Sequence, residues 1–252
     1  MKETRIIMGM PVTVEIPNGA GGAAAVHAVA DAVFDYFRSV DEKFSTYKTT
    51  SEISAINRRD LSPEDASEEM KQVLKLSEET KKKTKGYFDI VTPAGTLDPS
   101  GLVKGWAIWN AAQILLAKGF SDFYVDAGGD IQPHGRNAEG KKWRIGIKNP
   151  WNEAEHVKVI QASGQGVATS GTYIRGPHIY DPKNGRRPAE EIVSLTVVGP
   201  NIYEADRFAT AAFAMGKKGL LFIERLAGFE AYMIGHDKIA TMTRGFSHYV
   251  VE

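Results

Sequence analysis

The sequence predicts an α+β fold, with mixed or antiparallel sheets and packed helices, and three observations carry that expectation. Short segments such as Pro11-Val12-Thr13-Val14-Glu15-Ile16 and Trp143-Arg144-Ile145-Gly146-Ile147 alternate apolar and polar residues, the period of a half-buried strand. Four or five longer segments instead repeat apolar residues every three to four positions, the period of a helix. The two kinds do not alternate as regular βαβ units, which argues against a doubly wound parallel sheet. The 252 residues, 42% of them hydrophobic, allow one large domain or two small ones, with enough material for a real core. No internal repeat, low-complexity tract or long linker divides them.

The totals exclude several classes of function. Thirty-one basic and 31 acidic side chains balance, so gripping nucleic acid by its phosphates is not the main task. With no cysteine there is no disulfide scaffold, thiolate metal site or cysteine nucleophile, nor lipid attachment through an N-terminal cysteine. Met1-Lys2-Glu3-Thr4-Arg5 runs into a short apolar stretch with no signal-peptide core, and no segment is long enough to span a membrane. The reading is a cytoplasmic protein; a chain whose leader had been removed would read the same way.

Taken in order, Met8-Gly9-Met10 leads into the strand 11–16, and Pro17 to Gly22 is a turn. The helix that follows puts Val26, Val29, Ala30, Val33, Phe34, Phe37 and Val40 on one face. A hydroxyl-rich loop around Ser45-Thr46-Tyr47 becomes a short helix capped at Thr50 or Ser51. Tyr47 could stack on a planar ring from such a loop. A charged amphipathic helix is expected over 63–85, with Met70, Val73, Leu74 and Ser77 inward. Its Lys81-Lys82-Lys83 run suits the negative end of the helix dipole better than a nucleic acid. Gly86-Tyr87-Phe88-Asp89 breaks that helix, and Asp89 among apolar residues needs a partner if buried.

The stretch Leu97-Asp98-Pro99-Ser100-Gly101-Leu102-Val103-Lys104-Gly105 opens the next helix, which ends before Gly119. Asp98 and Ser100 can cap it, and Pro99 suits its first turn. Its free amides and Lys104 attract anions. Asp98 would repel a phosphate, so it reads as holding a polar ligand group or orienting Lys104. Ser121 to Asp126 is strand-like and runs into Gly128-Gly129-Asp130, where paired glycines allow positive φ and close approach to a ligand. His156 to Gln161 reads as another strand, and Gly166 to Tyr173 as a strand end and turn.

His178 and Asp181 flank two apolar residues before an Asn184-Gly185 turn and Arg186-Arg187, a cluster of groups that neighbours can perturb. Glu191 to Val198 reads as a strand, and Tyr203 to Gly216 as a helix. On that helix Asp206 and Thr210 share a face and offer two hard oxygens, suitable for Mg²⁺ but too few alone. The flanking alanines indicate a packed helix, so Asp206 needs a partner. Glu230 to Ile234 and Lys238 to Met242 form a closing hairpin around His236-Asp237.

In this order the segments resemble the ApbE family, the FAD:protein FMN transferases. The landmarks are Met8-Gly9, Ser45-Thr46-Tyr47 to Asn57, Gly86-Tyr87-Phe88-Asp89, Asp98 to Gly105, Gly128-Gly129-Asp130, Trp143 to Pro150, Thr169-Ser170-Gly171, His178 to Gly185, and Ala205-Asp206 to Thr210. Each is weak alone; their shared order across nearly the whole chain is the signal. The resemblance implies an ApbE-like, T-fold-related single domain over 1–252, with room for two subdomains and the FAD site in the cleft between them. It implies that Met8, Tyr47, Tyr87, Phe88, Asp89, Asp98, Lys104 and Tyr180 line the FAD site. The Gly101 carbonyl, Asp206 and Thr210 would hold Mg²⁺. His178, assisted by Asp181, would act as general base. FMN would pass from FAD to a Thr or Ser hydroxyl of an acceptor flavoprotein carrying an Asp-x-x-(Thr/Ser)-x-Ala-(Thr/Ser) motif, and AMP would leave. The alternatives are Mg²⁺-dependent hydrolysis of FAD to FMN and AMP, and FAD binding without turnover. The sequence departs from the family in a short segment between Tyr173 and His178, and in Ala209, where some members carry an acid.

Overall fold

The computed structural model describes residues 1–17, 22–172, 179–185 and 191–251. Its strands are β1 (Lys2–Ile7), β2 (Met10–Glu15), β3 (Phe123–Ala127), β4 (Asp130–His134), β5 (Trp143–Asn149), β6 (Asn152–Ala162), β7 (Gly166–Gly171), β8 (Ile192–Gly199), β9 (Glu230–Gly235) and β10 (Ala240–Met242). Its helices are α1 (Gly22–Phe44), α2 (Glu52–Arg58), α3 (Glu68–Lys83), α4 (Ser100–Ala117), α5 (Ile202–Ala214) and α6 (Lys218–Glu224), with a 3₁₀ turn at Phe246–Tyr249. One eight-stranded sheet runs β1-β2-β3-β4-β7-β8-β9-β10, and β5 and β6 form a separate hairpin. Every pairing described in the large sheet is antiparallel.

The alternation along the strands decides what covers each face. In β9, Ala231 and Met233 enter the larger core with α1, α4 and α5. Their neighbours Tyr232 and Ile234 enter a second core with Ile145, Ile147 and Ile160 of the β5–β6 hairpin, and with Phe246. The sheet is thus covered by helices on one face and by the hairpin on the other. β8 lies where both layers overlap and is buried along its whole length, which explains its near-continuous apolar run. α4 is wrapped on most sides, burying Leu102, Val103, Trp106, Ala107, Ile108, Ala111, Ala112 and Leu115, as expected of a helix with little polar surface.

Several expectations are corrected by local chemistry. α3 starts at Glu68, not near Pro63, because the Ser67 hydroxyl accepts the Met70 amide at 3.3 Å and sets the first turn there. Leu74 is only half-buried. α4 begins at Ser100 after Pro99, with no side-chain cap on the helix proper; Asp98 Oδ1 instead accepts the Ser100 amide at 3.0 Å. β1, β4 and α6 add elements that the sequence reading left without an assignment. Residues 166–171 form a full central strand between β4 and β8, not a strand end and turn. Ser51 caps α2 by accepting the Ser54 amide at 3.2 Å, one of the two positions expected. Among the described residues no helix is long and apolar enough to cross a membrane.

Candidate active site

A cavity of about 640 Å³ opens where the N-terminal end of α4 meets α5, the β3–β4 turn, β7 and the segments 86–92 and 179–182. Its floor exists because α4 and α5 touch backbone to side chain. The Gly105 amide donates to Asp206 Oδ2 at 2.7 Å. A methyl group at Gly105 would stand 2.5 Å from the Asp206 Cβ, so only glycine lets the helices approach this closely. One turn later the Thr210 hydroxyl donates to the Gly101 carbonyl at 3.3 Å. Gly101, Asp206 and Thr210 therefore face the cavity together from two helices.

Burial pushes the Asp206 carboxyl well above its ordinary value, and the nearby Asp130 carboxylate pushes it further. Lys104 and the Gly105 amide pull the other way without cancelling that effect. Lys104, which the sequence reading offered as one of two partners for Asp98, has an ion pair of its own with the sheet. Its ammonium pairs with Asp130 Oδ2 at 2.6 Å, because the N-terminal part of α4 packs on the start of β4.

Another part of the lining is aromatic and acidic, and it begins beside Gly101, against which the buried Phe88 ring packs. Tyr87, Phe88, Asp89, Asp98 and Tyr180 all line the cavity. Asp89 finds the partner it needed in Lys81, at 2.6 Å, and its Oδ1 accepts the Val91 amide at 3.0 Å. The Tyr180 phenol is pushed up by burial first and then by the charges of Asp89 and Asp98. Lys183 holds its ammonium 3.7 Å from the Tyr87 ring centroid, clasping the segment that carries Tyr180 to the segment that carries Tyr87. An exposed cation–π contact contributes about 0.5–1 kcal/mol. Lys183→Ala should accordingly raise the KM for the substrate about two- to fivefold with little change in kcat, which steady-state kinetics would read.

The remaining predicted residues fall elsewhere. Met8 lies in the β1–β2 turn at φ 56° and packs on the large core; Met10, not Met8, lines the cavity. Tyr47 is 96% exposed and outside the lining. Asp181 is buried and outside the lining; its carboxylate accepts the Lys183 amide at 3.0 Å and its carbonyl accepts the Gly185 amide at 2.8 Å. Its evident work is to shape the turn. His178 lies outside the described residues.

The cavity also holds residues outside the predicted site set. Asp126, Gly128 and Gly129 reach it from the β3–β4 turn, and Thr169 and Ser170 from β7. Asp126 Oδ1 accepts the Gly129 amide at 2.8 Å, and burial raises its carboxyl. Gly128 and Gly129 sit at φ 62° and 93°, as the glycine pair foretold. Lys148 enters from the β5–β6 hairpin, where the register shifts on both sides of it.

The chain's likenesses agree with this architecture. The model of the ApbE family matches residues 8–95 and 91–233. The chain belongs to the ApbE family. It is 31% identical to the FAD:protein FMN transferase of Escherichia coli K12 over 157 residues, 59% of this chain and 45% of that protein. It is 32% identical to the FAD:protein FMN transferase of Vibrio cholerae over 162 residues, 61% and 47% of the two chains. The matched stretches thus span about half the length of these curated relatives. Among solved structures, the flavin transferase ApbE from Vibrio cholerae superposes with a TM-score of 0.86 at 23% identity, covering 99% of this chain and 98% of that one. The ApbE protein from Thermotoga maritima gives 0.84 at 22% identity over 100% and 99%. At those identities the two structures establish the α+β, antiparallel-sheet fold of ApbE proteins for this chain.

Proposed function

We propose that this ApbE chain transfers FMN from FAD to a Thr or Ser hydroxyl of an acceptor flavoprotein, releasing AMP. The observation that carries the reading is the presence, in one cavity, of a Gly101–Asp206–Thr210 oxygen cluster, Lys104 and the aromatic residues Tyr87, Phe88 and Tyr180. A flavin dinucleotide needs both: a flat surface for a ring and a cationic seat for its pyrophosphate.

The charge of the walls bears on how that seat is made. Among the described lining residues, four carboxyl groups (Asp89, Asp98, Asp126, Asp206) face two ammonium groups (Lys104, Lys148). A phosphate 4 Å from one uncompensated carboxylate costs about 4 kcal/mol at the screening typical of a protein surface. Admitting a pyrophosphate therefore calls for added positive charge. Among the described residues no cluster of three or more His, Cys, Asp or Glu forms a metal site, but Mg²⁺ needs no such cluster. It takes carbonyl, hydroxyl and carboxylate oxygens and keeps waters and phosphate oxygens as its other ligands. The Gly101 carbonyl, Thr210 hydroxyl and buried Asp206 fit that donor set, and they would hold the ion. When bound, Mg²⁺ would supply charge neutralisation at the phosphates.

The chain's own groups do the rest. Lys104 neutralises a phosphate oxygen from the second turn of α4. Tyr87, Phe88 and Tyr180 fix the flavin ring, so that one phosphorus is presented to the acceptor. The acceptor oxygen forms a bond to the phosphorus of the FMN half, the bond to the AMP oxygen breaks, and the hydroxyl proton must leave. We assign that proton to His178, the base that the resemblance to the family implies. We read residues 1–252 as one domain acting on FAD and one protein partner.

The test is incubation with FAD, Mg²⁺ and a carrier protein fused to an acceptor motif, followed by intact mass of the carrier. A gain of one FMN, lost in Asp206→Ala or with a chelator, is the expected result. Free FMN and AMP beside an unmodified carrier would replace transfer by hydrolysis. FAD bound but unchanged would replace both by storage.

A further inference from the structure

We infer that Asp130 is the positioning residue of the site, acting on the substrate's phosphates through Lys104. The inference deepens the proposed function and rests on its placing Lys104 at a phosphate.

A lysine ammonium on a four-carbon stem has many conformers, and holding it in one costs entropy. In this fold the cost is met from the sheet. Asp130 opens β4 directly after the Gly128-Gly129 turn and is 2% exposed. Its two oxygens have separate tasks. Oδ1 accepts the Thr169 amide of β7 at 2.9 Å, which locks the carboxylate to the neighbouring strand. Oδ2 meets the Lys104 ammonium at 2.6 Å. The lysine is thus held at its base by α4 and at its tip by the sheet. Asp130 is not itself a wall of the cavity, whereas its neighbours Lys104 and Asp206 are; the lysine is the one it pairs with as an ion pair, and the test below separates that route from the one through Asp206. A buried carboxylate is costly unless paired; the burial here holds a cation at the lining instead of leaving it to the solvent.

The experiment is a double-mutant cycle with wild type, Asp130→Asn, Lys104→Met and the double variant. Asparagine keeps an oxygen for the Thr169 amide and removes the charge that holds Lys104. Two readouts are taken at saturating Mg²⁺: kcat/KM for FAD in transfer, and the affinity for inorganic pyrophosphate by calorimetry. Asp130→Asn is expected to lower both about 10- to 100-fold, and the double variant to be no worse than Lys104→Met within about twofold. Riboflavin, which carries no phosphate, should bind all four proteins alike. If Asp130→Asn folds poorly, Asp130→Glu, which keeps the charge but moves it by a methylene, should show a smaller loss in the same pattern.

Losses that multiply in the double variant would overturn the inference, since Asp130 would then act without Lys104. So would a change confined to the Mg²⁺ concentration needed for half-maximal rate, which would make Asp130 a support of the metal site. A wild type that transfers no FMN but shows the non-additive pyrophosphate cycle would sink the proposed function and leave the positioning role standing.

Discussion

Gly105→Ala should cost this protein at least about 100-fold in kcat/KM, because a shift of about 1 Å in a reactive geometry has effects of that size. The alanine methyl would stand 2.5 Å from the Asp206 Cβ and 2.8 Å from the Ile202 carbonyl. Neither is the end of a flexible side chain, so α4 and α5 must part. Overpacking of this kind costs about 1–3 kcal/mol, and alanine returns about 1 kcal/mol through its better helix propensity. The net loss in stability is therefore small, a few degrees of melting temperature. The site suffers more than the fold, since Gly101 and Lys104 ride on one helix and Asp206 and Thr210 on the other. Thermal melts and steady-state kinetics read the two effects separately. A variant that keeps wild-type kinetics would show that the contact between these helices does not set the site.

Asp206→Asn should abolish the response to Mg²⁺ and lower transfer by at least about 100-fold, the scale of losses at metal-supporting positions. Asparagine still offers an oxygen to the Gly105 amide, so the fold should persist. The same variant has a signature in metal-free protein. The Asp206 carboxyl is raised above the ordinary 3.8, chiefly by burial, so the folded state holds its proton more tightly than the unfolded state does. Stability from this group is complete below the unfolded value and is lost as pH rises through the folded one. The difference in melting temperature, variant minus wild type, should therefore grow as pH is raised above about 4 and level off beyond the folded value. Added Mg²⁺ should stabilise the wild type by mass action and leave Asp206→Asn unmoved. A wild type whose melting is indifferent to Mg²⁺ at neutral pH would refute the assignment of this oxygen cluster to the metal.

What the sequence determined by itself is local. The apolar period of α1 named its buried face, because a helix exposes every third or fourth residue to the same neighbour. Gly128-Gly129 announced a turn with positive φ that few other residues adopt. Asp206 among alanines announced a buried acid in want of a partner, since a packed helix leaves no water to solvate it. The order of such segments was enough for the family resemblance.

The partners were a matter for the tertiary structure alone. Asp206 meets Gly105 across 101 residues of sequence, and Lys104 is held by Asp130 on a strand whose existence the sequence did not disclose. β4 and β7 are short, and their residues are buried from both faces, so the alternation that betrays a strand is muted. Lys148 was illegible for a different reason: an exposed lysine in an alternating strand looks like any other, and only the packing of the hairpin brings it to the cavity. Pairing of residues far apart in the chain depends on which strands neighbour each other and how closely two helices approach. Those are properties of the packed whole, and no window of sequence contains them.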